Sequence, residues 1–191
     1  VTITNGSVGT VYGGNDKAGA VTTANVTVTN GTVGTLYGGS NGDYTYPLDV
    51  FSLPTIATTN VTVNGGKTTT AYAGGNNATV STSANITVNA DNGSASDLHV
   101  TTLFGGNNKA TMTILPNIVL TQGYVGDVYG GGNEGDMLCS NVTLASKVAS
   151  GNDIMTKLNI AADTKISTFV NIDGSDIHIT GDVYGGCNNA D

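Results

Sequence analysis

The stretch "VTITNGSVGTVYGG" at residues 1–14 returns as "VTVTNGTVGTLYGG" at residues 26–39, almost letter for letter. Copies this similar demand similar surroundings, and an internal period of roughly 20–50 residues is the mark of stacked supersecondary units. Alignment on an aromatic followed by small residues picks out Tyr12, Tyr37, Tyr72, Phe104, Tyr129 and Tyr184, at spacings of 25, 35, 32, 25 and 55. The intervals read as one period of 25 residues with insertions of ten and seven, near 43–56 and 91–97. The last interval reads as a double step through a degenerate copy at 141–170.

Two kinds of strand recur in each copy. One follows an asparagine: Asn25-Val-Thr-Val, Asn60-Val-Thr-Val, Asn85-Ile-Thr-Val, Asn117-Ile-Val-Leu and Asn141-Val-Thr-Leu, with Val1-Thr-Ile entering the same register. Alternation of apolar residues with threonine gives a dry face and a wet one. The other strand runs into the aromatic, and the residue before it is always apolar (Val11, Leu36, Ala71, Leu103, Val128, Val183), which assigns that position to the interior.

The second residue after each aromatic is glycine (Gly14, Gly39, Gly74, Gly106, Gly131, Gly186), and the expectation is a left-handed corner at each. Two positions on stand Asp16, Asn41, Asn76, Asn108, Asn133 and Asn188. Amides at one fixed position of stacked units can bond to their own copies above and below, so these six are expected to form a ladder. Strand, glycine corner, strand and polar corner, repeated without helices, predict an all-β fold: a parallel β-solenoid of about seven coils of ~25 residues, forming a single domain over 1–191. Within the degenerate copy, "GNDIMTKLNIAADTK" offers a short capped helix, but "KLNIA" and "KISTFVNID" alternate as strands, and strands are the preferred expectation.

The recurring "GxVGxVYGGxN" pattern resembles the glycine-rich repeats of bacterial secreted and cell-surface adhesin-like proteins. That resemblance implies a right-handed parallel β-helix at the cell surface or outside the cell, with a stalk-like or adhesive role and no catalytic residues. Two copies depart from the pattern, "GGKTTTAYAGG" and "DLHVTTLFGG".

Composition narrows the function further. Six basic residues against fourteen acidic ones give a net charge of −8, the basic ones are all lysine, and a phosphate-binding surface has nothing to be built from. Nucleic acid is therefore not an expected partner. No stretch has the apolar length of a membrane span. Cys139 and Cys187 are too few for a disulfide framework, and whether they pair stays open. A first residue other than Met, already inside a repeat, reads as a processed or excised piece.

Several patterns carry candidate chemistry. The aromatic column either presents ring faces to sugars or a protein, or stacks on itself and stiffens the chain. Outward threonines (Thr2, Thr27, Thr62, Thr87, Thr143) follow from β-propensity, and Val119 interrupts the column where ice matching would need regularity. Asp173, Asp176 and Asp182 fall at turns, and His99 and His178 lack a nucleophile in any recognisable motif, so no catalytic residues are assigned and the chain is read as a non-enzyme. No cofactor is expected beyond a structural calcium ion, for which Asp16, Glu134 and Asp136 offer oxygen ligands. Eight Asn-x-Ser/Thr sequons follow from a composition rich in Asn, Gly and Thr. The insertion "GDYTYPLDVFSLPT" gathers Tyr44, Tyr46 and Phe51 in one proline-interrupted loop, either a partner-binding site or a flap over the core.

The expectation is thus an extracellular structural or adhesive solenoid, acting as a stalk, an adhesin shaft or a head-to-tail filament subunit. Its partners would be copies of itself or a continuing solenoid, with glycans or a host surface as further ones. The contrasting expectation is a carbohydrate-binding module using the aromatic column or the loop at 43–54.

Overall fold

The computed structural model describes residues 1–45, 52–91, 93–148 and 154–190. The chain runs through β1 (Thr2–Ile3), β2 (Ser7–Tyr12), β3 (Ala20–Val28), β4 (Thr32–Tyr37), β5 (Thr55–Val63), β6 (Lys67–Tyr72), β7 (Val80–Asn89), β8 (Val100–Phe104), β9 (Asn117–Tyr129), β10 (Val142–Thr143), α1 (Ile154–Lys157), β11 (Lys165–Ile166), β12 (Val170–Ile179) and β13 (Val183–Tyr184). It is an all-β structure with almost no helix. Eleven strands form one sheet in the order β1-β3-β5-β7-β9-β8-β6-β4-β2, with β12 and β13 also on β9. The pairing in this sheet is parallel, and the sheet curls through 298° as a half-barrel.

Register explains why the sequence repeats. Asn25 pairs with Asn60, Asn60 with Asn85 and Asn85 with Asn117, while Val26, Val61, Ile86 and Ile118 form the neighbouring column. On the other side of the curl Val11, Leu36, Ala71, Leu103, Val128 and Val183 align, and beside them the six aromatics. In a parallel in-register ladder each side chain lies one strand spacing, ~4.8 Å, from its own copy, so a residue that fits once fits at every rung.

The core is the space between the two ladders. Val26, Val28, Val61, Val63, Ile86, Val88, Ile118 and Leu120 face Val33, Leu36, Ala71, Val100, Leu103, Val125 and Val128, and all fifteen are buried. Full burial of an aliphatic side chain contributes about 1.5–3 kcal/mol, so this strip is the main source of stability. Thr68 stands in the column of Val33, Val100 and Val125, buried, with its hydroxyl unpaired among the described residues.

Three features differ from the sequence expectations. The first is the degenerate copy. Asn141-Val-Thr-Leu does not join the ladder; Val142 and Thr143 pair antiparallel with Ile166 and Lys165 in a separate two-stranded ribbon. Val170, Asn171 and Ile172 take the place on β9 instead, opposite Ile118, Val119 and Leu120. The long interval is therefore one step with an excursion, and the rungs among the described residues number six: β1, β3, β5, β7, β9 and β12 succeed one another.

Second, residues 154–157 are helical where alternating strands were expected. Asn159, just beyond, has φ 53, a left-handed conformation that asparagine tolerates and that ends any extended run through "KLNIA". The candidate caps Asn152 and Asp153 lie outside the described residues.

Third, the left-handed corners are not at the glycines after the aromatics. Positive φ occurs at Gly6, Gly31 and Gly66, in the opposite corner, at 86°, 88° and 69°. There the Asn5 and Asn30 side chains accept from the Gly6 and Gly31 amides at 2.9 and 2.8 Å. The glycines after the aromatics are small for another reason, crowding. A Cβ on Gly106 would meet the Gly132 nitrogen at 2.6 Å, and one on Gly131 would meet Cys187 Sγ at 2.6 Å.

Candidate functional site

The corner after the aromatics is the most regular part of the molecule. Its backbone continues the rung-to-rung hydrogen bonding: the Gly38 amide donates to Tyr72 O at 3.0 Å and Gly39 to Gly74 O at 3.0 Å, and the Asn76 amide donates to Ser40 O at 2.9 Å. This holds the +4 side chains in one line. Asn41 Nδ2 donates to Asp16 Oδ1 at 2.9 Å, Asn76 to Asn41 at 2.9 Å, Asn108 to Asn76 at 2.8 Å, Asn133 to Asn108 at 2.9 Å and Asn188 to Asn133 at 2.9 Å.

The five amide bonds point the same way, and chemistry at one end dictates it. An ionised carboxylate only accepts, so Asn41 must turn its NH₂ to Asp16, which leaves its oxygen for Asn76, and so on to Asn188. Asp16 also accepts from the Tyr44 hydroxyl at 2.9 Å. The bonds from Asn41 and Tyr44, with Lys17 nearby, hold the Asp16 carboxyl below its ordinary range, and the same bond raises the Tyr44 phenol.

Beside the amide ladder stands the ring column. Tyr12, Tyr37, Tyr72, Phe104, Tyr129 and Tyr184 stack with centroids 4.7–4.9 Å apart and planes within 15° of parallel. Tyr37, Tyr72 and Phe104 are buried, and both faces of these three rings are covered by neighbouring rings. Tyr72 donates its hydroxyl to Asn108 Oδ1 at 3.1 Å, tying the column to the ladder. Burial pushes the Tyr37 phenol up to about 12 and raises that of Tyr72 further.

Of the loop residues, Tyr44 is half-exposed, with the Lys17 ammonium over its ring at 4.8 Å and its hydroxyl on Asp16. Tyr46 and Phe51 lie outside the described residues. The calcium candidates are not gathered: Asp16 is on the first rung and Glu134 and Asp136 on the fifth, and among the described residues no group of three or more His, Cys, Asp or Glu side chains could hold a metal ion. Cys139 is buried, and Cys187 is partly so, with its Sγ donating to Gly135 O at 3.6 Å.

Two arrangements had no signal in the motif alignment. Asn60 Nδ2 donates to Asn25 Oδ1 at 2.8 Å and Asn85 to Asn60 at 2.9 Å, a second amide ladder of the same polarity. The asparagines opening each strand were visible, but not that they bond to one another. The opposite corner holds a polar groove of about 520 Å³ lined by Thr29, Asn30, Asn64, Lys67, Asp97 and His99, among others, with Lys67 and Asp97 paired at 2.7 Å. His99 is buried behind it: its Nδ1 accepts from the Tyr124 amide at 3.1 Å, which makes Nε2 the protonated nitrogen donating to Asp91 O at 3.2 Å. Tyr124 in turn stacks on His178 at 4.5 Å.

Among the described residues no helix is long and apolar enough to cross a membrane. Comparison with known proteins gives no match: no family model, no curated protein and no solved structure is similar enough to place the chain in a family.

Proposed function

We propose that this chain is a segment of a parallel β-solenoid rod, a secreted or cell-surface stalk, adhesin shaft or filament subunit whose work is to extend and to bear load. The observation that carries this is the state of the outermost rung. Throughout the interior, a Cβ on the glycines after the aromatics would collide with the rung above; at Gly185 and Gly186 it would meet nothing within 4 Å. Neither glycine has positive φ. Glycine there serves a rung laid over it, not the rung it belongs to. Val183 and Tyr184, at 45% and 44% exposed, are the same core and ring positions that inner rungs bury.

The test is to add a rung. The corner Asn188-Asn189-Ala190 repeats Asn76-Asn77-Ala78, so a copy of residues 80–108 appended after Asp191 supplies the strands that follow this corner inside the molecule. Repeat stability is a sum of rung and interface terms, so the longer chain is expected to unfold in one transition at a higher denaturant midpoint. Added residues that stay unprotected in hydrogen exchange and leave the midpoint unchanged would overturn the reading.

A further inference from the structure

The rod has a polarity that one residue imposes. Every amide on the ladder donates toward Asp16, so the outermost residue at the far end, Asn188, presents an oxygen, and no donor among the described residues reaches it. A rung laid over Asn188 must therefore bring a hydrogen-bond donor. A second copy of the chain, stacked in the same sense, brings Tyr12 over Tyr184, which continues the ring column. It also brings Asp16 over Asn188, and there the match fails: an ionised carboxylate meets an amide oxygen, with no proton between them.

We propose that Asp16 is a proton-operated stop for end-to-end association of this chain, a proposal that rests on the rod reading above. The rest of the joint is complementary. At the Asp16 end, Gly9 has nothing within 4 Å of a Cβ and no positive φ, whereas its counterpart Gly34 is pressed against the Gly9 carbonyl. Glycine thus stands on both outer faces, although Thr69 and Thr101 hold the Gly9 column on the third and fourth rungs. Among the described residues the exposed Tyr184 ring stacks on Tyr129 alone, and Tyr12 on Tyr37 alone.

The charged groups around the joint do not relieve it. Among the described residues, those on the Asp16 side are Lys17, whose ammonium lies over Tyr44, and the Lys109–Asp43 pair at 2.7 Å; those on the Asn188 side are Asp182, which accepts from the Tyr184 hydroxyl, and Asp127. The far face is acidic, which adds to the repulsion of an ionised Asp16. Protonated, Asp16 gains an O–H that can donate to Asn188 Oδ1, and the ladder runs on through the joint.

Sedimentation velocity on the wild-type chain, Asp16→Asn and Asp43→Asn tests this. Asp16→Asn places the ladder's own residue at the joint and is expected to associate at pH 7, where the other two stay monomeric. Asp43→Asn removes the same charge nearby without touching the ladder. The wild type is expected to join Asp16→Asn in associating only when the pH is lowered past the ordinary aspartate range, because the bonds from Asn41 and Tyr44 hold the Asp16 carboxyl below it. Asp16→Asn remaining monomeric at pH 7, or Asp43→Asn or the wild type associating there equally, would overturn the stop. Either result leaves the added-rung experiment to decide the rod on its own, because an appended rung never meets Asp16.

Discussion

Asn76 hands its amide hydrogen to Asn41 Oδ1 at 2.9 Å across 35 residues of chain, and both side chains are buried. Asn76→Asp keeps the shape and the acceptor for Asn108 but removes the donor. Two oxygens then face each other away from water. Leaving a buried acceptor unpaired costs about 1–3 kcal/mol, and a buried charge adds to it. A chemical denaturation series should show the midpoint fall with the slope unchanged.

The ring column predicts a sharp difference between two replacements of Tyr72. Phe104 already occupies this column, so Tyr72→Phe keeps both stacks, at 4.8 Å above and below, and loses only the bond to Asn108. That costs about 0.5–1.5 kcal/mol. Tyr72→Ala removes a buried ring and both stacks, and large-to-small aromatic changes cost about 3–5 kcal/mol. Thermal unfolding should rank wild type, Phe and Ala in that order, with the second gap the larger.

Thr68→Val should stabilise. The hydroxyl is buried and unpaired among the described residues, and the positions paired with it on β4 and β8 are Val33 and Val100. Valine is the same shape without the desolvated oxygen, for a gain of about 1 kcal/mol. An unchanged or lower melting temperature would show that the hydroxyl has a partner in solution.

Alkaline titration reads the column directly. The Tyr37 phenol rises from 10.0 to about 12 because burial disfavours the phenolate, and Tyr72 rises for the same reason. A group held neutral in this way favours folding fully below its unfolded value. That contribution falls away as pH climbs through the folded one. Phenolate absorbance should therefore extend above the ordinary tyrosine range, the part belonging to Tyr37 and Tyr72 coinciding with loss of β-sheet circular dichroism as the pH climbs from about 10 towards 12.

Much of this architecture was legible because stacking turns sequence identity into contact. Tyr12, Tyr37 and Tyr72 share a place in the repeat, and that alone puts their rings together. What could not be read was which of two strand-like segments completes a rung. "NVTL" at 141–144 carries the local pattern of the ladder, yet the Val170–Ile172 segment displaced it. The reason is chain length: Asn25, Asn60 and Asn117 each precede their aromatic by twelve residues, enough for one corner, while Asn141 lies forty-three before Tyr184. Local pattern was satisfied in both segments, and closure chose between them. The glycines failed differently. A glycine reports that a Cβ is unwelcome, and the sequence does not say whether conformation forbids it, as at Gly31, or a neighbour does, as at Gly106.

That distinction yields the last prediction, since crowding depends on having a neighbour. In Gly106→Ala the new methyl would meet the Gly132 nitrogen at 2.6 Å, Gly132 Cα at 2.8 Å and Gly131 C at 2.9 Å, all backbone with nowhere to move. The two rungs must separate locally, and ladder bonds such as Gly106 N to Gly131 O at 2.9 Å go with them. A loss of several kcal/mol, on the order of an overpacked core substitution or more, is expected. Gly186→Ala is the same chemical change at the same place in the repeat, with nothing within 4 Å. On the isolated chain it should be neutral, within about 0.5 kcal/mol. Combined with the appended rung 80–108 it should become as damaging as Gly106→Ala, because the added strand now lies where the methyl points. Equal effects of Gly186→Ala with and without the extra rung would mean that the new strand does not lie over Gly186.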